Sequence, residues 1–320
     1  VGSYSGEPEA YAPALEFNLR VQPEGGALRR PGELKGSLEA QARRECLVML
    51  HGYNNHRGDA GRAYLGFRNR QVAQFVDIDH ARLNARLGDG FWPGDAKWPG
   101  PIDWVDFLFY PAAVGVAREA APLLAELLWS LPNLEAVDFI AHSLGCRVAL
   151  ETLQLINARG YPRVNRVCLM AAAVPVEMVE RDGRFEALLW DLQADRTRVH
   201  VLHSIADLVL MLAFPPGQAL AGEPSTRALG RHGPSPDTPG QGGTVTDTQI
   251  PGAKHSYYWG HKYPGDDQGA QAVAQAAREA GRFLNMGAAP REFAARTVGE
   301  WRNFEPARVI GEDWAEQAYA

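Results

Sequence analysis

Val137-Asp138-Phe139-Ile140-Ala141-His142-Ser143-Leu144-Gly145 decides how this chain is read. An apolar run that ends in small-x-Ser-x-Gly and passes at once into a helical pattern predicts a strand, a sharp turn and a helix. Such a turn strains its serine so that the hydroxyl projects above the sheet. Only small side chains fit two places before and two places after it. Ala141 and Gly145 meet that requirement, with Ala where the usual pattern has Gly. From Leu144 onward, Val148, Leu153 and Ile156 keep a helical spacing, and Gly160 with Pro162 marks the stop. The pentapeptide alone also fits an ordinary N-cap serine. A second stretch upstream favours the catalytic reading.

That stretch is Cys46-Leu47-Val48-Met49-Leu50-His51-Gly52-Tyr53-Asn54-Asn55. Its apolar half reads as a central strand buried on both faces, as a parallel sheet requires. Hydrolysis of an acyl bond builds negative charge on the carbonyl oxygen, which two pre-positioned backbone N–H groups can hold. One is expected from Leu144, the residue after the serine. The other is expected from the turn after His51-Gly52, with Tyr53 first and Asn54 next.

On these motifs the chain resembles the α/β-hydrolases. More narrowly, it resembles a bacterial α/β-hydrolase family of uncharacterised function with an HGYNN-type loop and an AHSLG-type elbow. Phe107-Leu108-Phe109-Tyr110-Pro111, Leu229-Gly230-Arg231-His232-Gly233-Pro234 and His255-Ser256-Tyr257-Tyr258 add to the likeness, which covers residues 44–285. It implies an α/β fold of the α/β-hydrolase type, a mostly parallel doubly wound sheet with helices on both faces. It points to chemistry more than to substrate.

Composition agrees with one large α/β domain of 320 residues. A net charge of −6 gives no basic footprint and argues against nucleic acid as a partner. No apolar run is long enough to span a bilayer. The three cysteines are unclustered and read as buried free thiols, which favours a cytoplasmic location over a secreted one. The chain starts at Val1, and a removed leader stays an open alternative. No motif calls for a metal or another cofactor. His200 and His203 stand three apart on one strand and so face opposite sides.

Residues 1–43 read as an N-terminal strand region of the same domain, with Leu15 to Val21 as a strand and Gly-Gly and Arg-Pro-Gly turns after it. Core strands are expected over 46–51, 105–110, 136–142, 164–172, 199–204 and 244–250. Helices are expected near 59–76, 114–130, 144–159, 177–190 and 268–285. Two loop insertions, 77–104 and 214–243, interrupt the 44–285 core. The first carries Trp92 to Trp104, and the second is so rich in Gly and Pro that it predicts no regular structure. Either lies where it can border a substrate pocket. Residues 286–320 form a C-terminal extension without a motif.

A serine hydroxyl needs a base, and the base needs an acid that orients it. In this fold the chain order is Ser, acid, His. Asp207, just past strand 198–204, fits the acid, and it equally fits an N-cap for the apolar helix Leu208–Phe214. The histidines after it are His232, His255 and His261. His255 follows the last strand by a short Pro251-Gly252 turn and is the expected base, with His261 as the alternative. His142 adjoins the serine but points away at the turn. The sequence therefore predicts a serine hydrolase with Ser143, His255 and Asp207, acting on small-molecule carboxylic esters, or on thioesters or amides, without a cofactor. The competing reading is a non-catalytic binding or regulatory protein on the same scaffold.

Overall fold

The computed structural model describes residues 13–22, 27–53, 55–95, 110–262 and 265–289. Eight strands form one sheet: β1 Leu15–Arg20, β2 Leu28–Gly36, β3 Glu45–Leu50, β4 Leu87–Phe91, β5 Ala136–His142, β6 Arg163–Met170, β7 Arg198–His203 and β8 Val245–Gln249. Their order is β2-β1-β4-β3-β5-β6-β7-β8. β1 and β2 pair antiparallel, and every other neighbouring pair is parallel. β3 is buried from Cys46 to Leu50 and β5 along its whole length. That is why their sequences are nearly continuous apolar runs, the pattern of strands covered on both faces.

Ten helices complete the described fold. Before β5 come α1 Leu38–Gln41, α2 Arg57–Gln74, α3 His80–Arg86 and α4 Tyr110–Ser130. After it come α5 Gly145–Arg159, α6 Glu186–Ala194, α7 Leu208–Leu212, α8 Phe214–Leu220, α9 Leu229–His232 and α10 Asp267–Phe283. α5 stops where its sequence says it should, with Gly160 in the left-handed conformation at φ 72°. Cys46, Cys146 and Cys168 are buried free thiols. Among the described residues no helix is long and apolar enough to cross a membrane.

Five segments differ from the sequence reading. Leu87-Gly88-Asp89-Gly90-Phe91, read as part of a loop, is the sheet strand β4. Its glycines make room for neighbours: a Cβ on Gly88 would stand 2.6 Å from the Phe17 ring, and one on Gly90 2.7 Å from Leu50. Asp89 is tolerated there because buried Arg68 donates to it at 2.6 Å. Arg30-Pro31-Gly32, read as a turn, lies inside β2, an edge strand where a missing N–H costs little.

The helix expected over 177–190 is split. A short 3-10 turn at Val176–Met178 is followed by α6, with Asp182 at φ 63° between them. In the Gly- and Pro-rich segment 214–243, Pro215 and Pro216 open α8 instead of preventing it. Of the strand expected over 105–110, Tyr110 begins α4, and 105–109 lie outside the described residues.

Candidate active site

Ser143 directly follows β5 with φ 54°, a left-handed conformation that non-glycine residues rarely adopt. Its N–H donates to the Met170 carbonyl at 3.0 Å, and its own carbonyl accepts from Ala173 at 3.1 Å and from Cys146 at 3.1 Å. These bonds hold the strained turn against relaxation. The sequence requirement at Gly145 is equally direct. A Cβ there would stand 2.2 Å from the His51 carbonyl oxygen, because α5 starts against the end of β3.

The structure brings Ser143, His255 and Asp207 into one hydrogen-bonded line. His255 Nε2 lies 2.9 Å from Ser143 Oγ. His255 Nδ1 lies 2.7 Å from Asp207 Oδ2. Asp207 is wholly buried, whereas the His255 side chain keeps 17% of its surface exposed. Asp207 also caps α7, its Oδ1 accepting from the Leu210 N–H at 3.0 Å. His255 is delivered by the turn after β8, where Ile250 N–H donates to the His203 carbonyl at 2.7 Å and Gly252 takes φ 72°.

The other late histidines lie elsewhere. His261 packs over α2, where a Cβ on Gly66 would be 2.5 Å from the His261 Cβ. His232, at the end of α9, accepts from Arg231 at 3.2 Å. His142 is the last residue of β5, and a Cβ on Gly52 would stand 3.0 Å from its Nδ1 and 2.7 Å from Ser143 Cβ. Its Nε2 lies 2.7 Å from the His255 carbonyl oxygen and its ring centroid 4.8 Å from that of His255. Burial, and then the neighbouring His255, hold its pKa well below the ordinary imidazole value.

Leu144 forms the N-terminal boundary of α5, where helix N–H groups have no intrahelical acceptor. The His51-Gly52-Tyr53 turn approaches the same place, for a Cβ on Gly52 would stand 2.7 Å from Ser143 Cβ. Asn54 lies outside the described residues. Several buried groups fix this turn. His51 N–H donates to the Tyr64 hydroxyl at 2.8 Å, and Trp92 Nε1 donates to the His51 carbonyl at 2.8 Å. Arg20 donates to the Trp92 carbonyl at 2.9 Å and pairs with Asp95. Burial, then the Arg20 charge, drive the pKa of His51 down to about 3, so the ring is neutral.

Trp92 and Trp259 are both buried, Trp92 stacked on His51 and Trp259 edge-on to Tyr64 and Phe67. Half-buried Tyr53 meets Tyr110 edge-to-face at 5.5 Å, and Gln218 of α8 donates to the Tyr110 hydroxyl at 2.9 Å. The 214–243 segment thus borders the tyrosine pair beside the site. Sequence reasoning missed the supporting roles of Arg20 and Tyr64, which carry no local motif.

A search of curated proteins gives no match. Among solved structures, the chain is similar to an esterase of Pyrobaculum calidifontis, at 17% identity and TM-score 0.38 over 77% of this chain and 78% of that one. It is also similar to a Listeria innocua protein, at 9% identity and TM-score 0.43 over 79% and 97%. An uncharacterized protein from Bacillus cereus ATCC 10987 is matched at 15% identity and TM-score 0.39 over 77% of this chain, which spans 61% of that protein's length. A family model matches residues 30–214, more than half of the sequence. The chain belongs to that family, alpha/beta hydrolase of unknown function (DUF900).

Proposed function

We propose that the protein is a serine hydrolase that cleaves carboxylic esters through an acyl-enzyme. The hydrogen-bonded line from Asp207 through His255 to Ser143 carries this reading. Ser143 Oγ attacks the ester carbonyl while His255 Nε2 takes its proton. Asp207 keeps the proton on His255 Nδ1 and offsets the imidazolium charge. The N–H groups of Leu144 and Tyr53 receive the oxyanion, and the positive end of α5 adds to its stabilisation. Collapse of the tetrahedral species expels the alcohol, protonated by His255. Water then attacks the acyl group with the same base, releasing the acid and restoring Ser143.

A non-catalytic role on the same scaffold has no need of a serine held at positive φ within 2.9 Å of an imidazole. Labelling with a fluorophosphonate decides between them. The adduct is expected on Ser143 and absent in Ser143→Ala, whose turnover of a nitrophenyl ester falls by on the order of 10⁶. An unlabelled native protein, or a Ser143→Ala variant with native turnover, refutes the assignment.

A further inference from the structure

Tyr110 opens α4, is buried, and touches three parts of the fold that converge on Ser143. Its ring stands edge-to-face with Tyr53, 5.5 Å between centroids. α8 lies against the same ring, for a Cβ on Gly217 would stand 2.7 Å from Tyr110 Cδ1. Its hydroxyl accepts from Gln218 Nε2 at 2.9 Å and reaches the Ala173 carbonyl oxygen at 3.5 Å. Burial pushes the phenol pKa up, so the hydroxyl keeps its proton. With Gln218 donating to the oxygen, that proton goes to the Ala173 carbonyl, which can only accept.

The two ends of this joint bear on the two oxyanion donors of the proposed function. Ala173 N–H donates to the Ser143 carbonyl at 3.1 Å. That carbonyl and the Leu144 N–H belong to one planar trans peptide and point in opposite directions, so the bond that holds the first aims the second. The other donor, the Tyr53 N–H, sits on the residue whose ring meets Tyr110. Asn55 Nδ2 donates to the Gly52 and Tyr53 carbonyls at 3.2 and 3.0 Å, bonds made within the turn that set its shape. Where the turn stands relative to the elbow depends on groups that bear on both, and Tyr110 is one. We propose that Tyr110 is a positioning residue that sets the spacing of the Leu144 and Tyr53 N–H groups. The role rests on the serine-hydrolase reading. Donors of this kind act only as charge grows on the substrate oxygen, so their misalignment lowers kcat and leaves KM nearly unchanged.

The test is a double-mutant cycle on Tyr53→Leu and Tyr110→Leu in the full chain, with Tyr110→Phe beside it. Each Leu variant is expected to lower kcat on a soluble nitrophenyl ester by about 10–100-fold with KM within about twofold, less than the loss of an oxyanion donor outright. The double variant should be no slower than the worse single one, because both remove the same contact. Tyr110→Phe keeps the ring against Tyr53 and loses only the long hydroxyl contact, so its kcat should stay within about fivefold of native. Hydrogen exchange at the Gly52 and Tyr53 amides should quicken in Tyr110→Leu and not in Tyr110→Phe, a readout independent of turnover. Tyr53 is only half-buried, so Tyr53→Leu decides the kinetic split even where Tyr110→Leu does not fold. Native kcat in the Leu variants, a loss confined to KM, additive losses in the double variant or unchanged exchange overturns the proposal and leaves the hydrolase standing. A native protein that turns over no ester and takes no fluorophosphonate removes the function proposed above, and the positioning role with it.

Discussion

His142 Nε2 lies 2.7 Å from the backbone carbonyl of His255, so the residue before Ser143 holds the loop that carries the imidazole facing it. A carbonyl only accepts, so His142 must donate from Nε2, and burial keeps its ring in the neutral form with Nδ1 unprotonated. Under the proposed function His142 is thus a positioning residue. Replacing it by Leu removes the anchor and lets His255 drift from Ser143 Oγ. Turnover of a soluble ester should fall by about 10–100-fold with KM little changed, since misplacement by about 1 Å costs that order. His142→Gln keeps a donor and should recover most of the rate. Native kcat in His142→Leu counts against the anchoring role.

Asp207 spends one oxygen on His255 and the other on the Leu210 N–H. The two duties separate by substitution. Asp207→Asn retains a capping oxygen and loses the charge, so kcat should fall by about 10⁴ with little change in melting temperature. Asp207→Ala loses both, and should be about 1–2 kcal/mol less stable than Asp207→Asn. Denaturant titration of the pair measures this. Equal stabilities would mean that the cap contributes nothing.

Much of this was written in the sequence, and Asp207 shows how. Catalytic acid and helix cap look like rival readings along the chain, yet a carboxylate has two oxygens and the fold gives each a partner. The central strands β3, β5, β6 and β7 were legible because burial on both faces demands apolar runs. β4 was not, because Gly88 and Gly90 were selected for the space that Phe17 and Leu50 occupy, and Asp89 for Arg68. Those partners are remote in sequence. The same holds for His142, whose acceptor lies 113 residues away and leaves no local pattern. The short helix α8 was hidden by two prolines that break a helix interior and suit its first turn.

Gly145 gives a third outcome. The Cβ of Gly145→Ala would collide with two backbone oxygens, those of His51 at 2.2 Å and Leu50 at 2.7 Å, and neither can swing aside as a side chain would. Relief requires α5 to back away from β3, which opens the core and moves Leu144. The variant should lose at least about 3 kcal/mol of stability in urea titration and, on the proposed function, most of its ester turnover. Ala141→Gly, on the other side of the serine, should cost only about 1 kcal/mol, the backbone-entropy penalty of glycine in a strand. Comparable losses in the two variants would show that the contact with β3 is not what selects glycine at 145.

Acid should destabilise the protein well before its carboxylates titrate. Burial lowers the pKa of His51 to about 3 and that of His200 to about 4, so both stay neutral in the folded chain where unfolded histidine, with its pKa near 6.5, is already charged. Between pH 6.5 and the folded values the unfolded state therefore binds more protons, and stability falls as pH falls. At pH 5 each ring removes about 2 kcal/mol relative to neutral pH. His200 supplies the cleaner test because it lies away from Ser143, stacked on Phe283 at 5.0 Å and bonded to Thr246 at 2.8 Å. His200→Gln lowers stability at pH 7.5 by losing that packing, yet its own stability should decline less between pH 7.5 and pH 5 than the native protein's. Calorimetry at the two pH values reads the difference, and parallel declines would show that His200 charges as readily folded as unfolded.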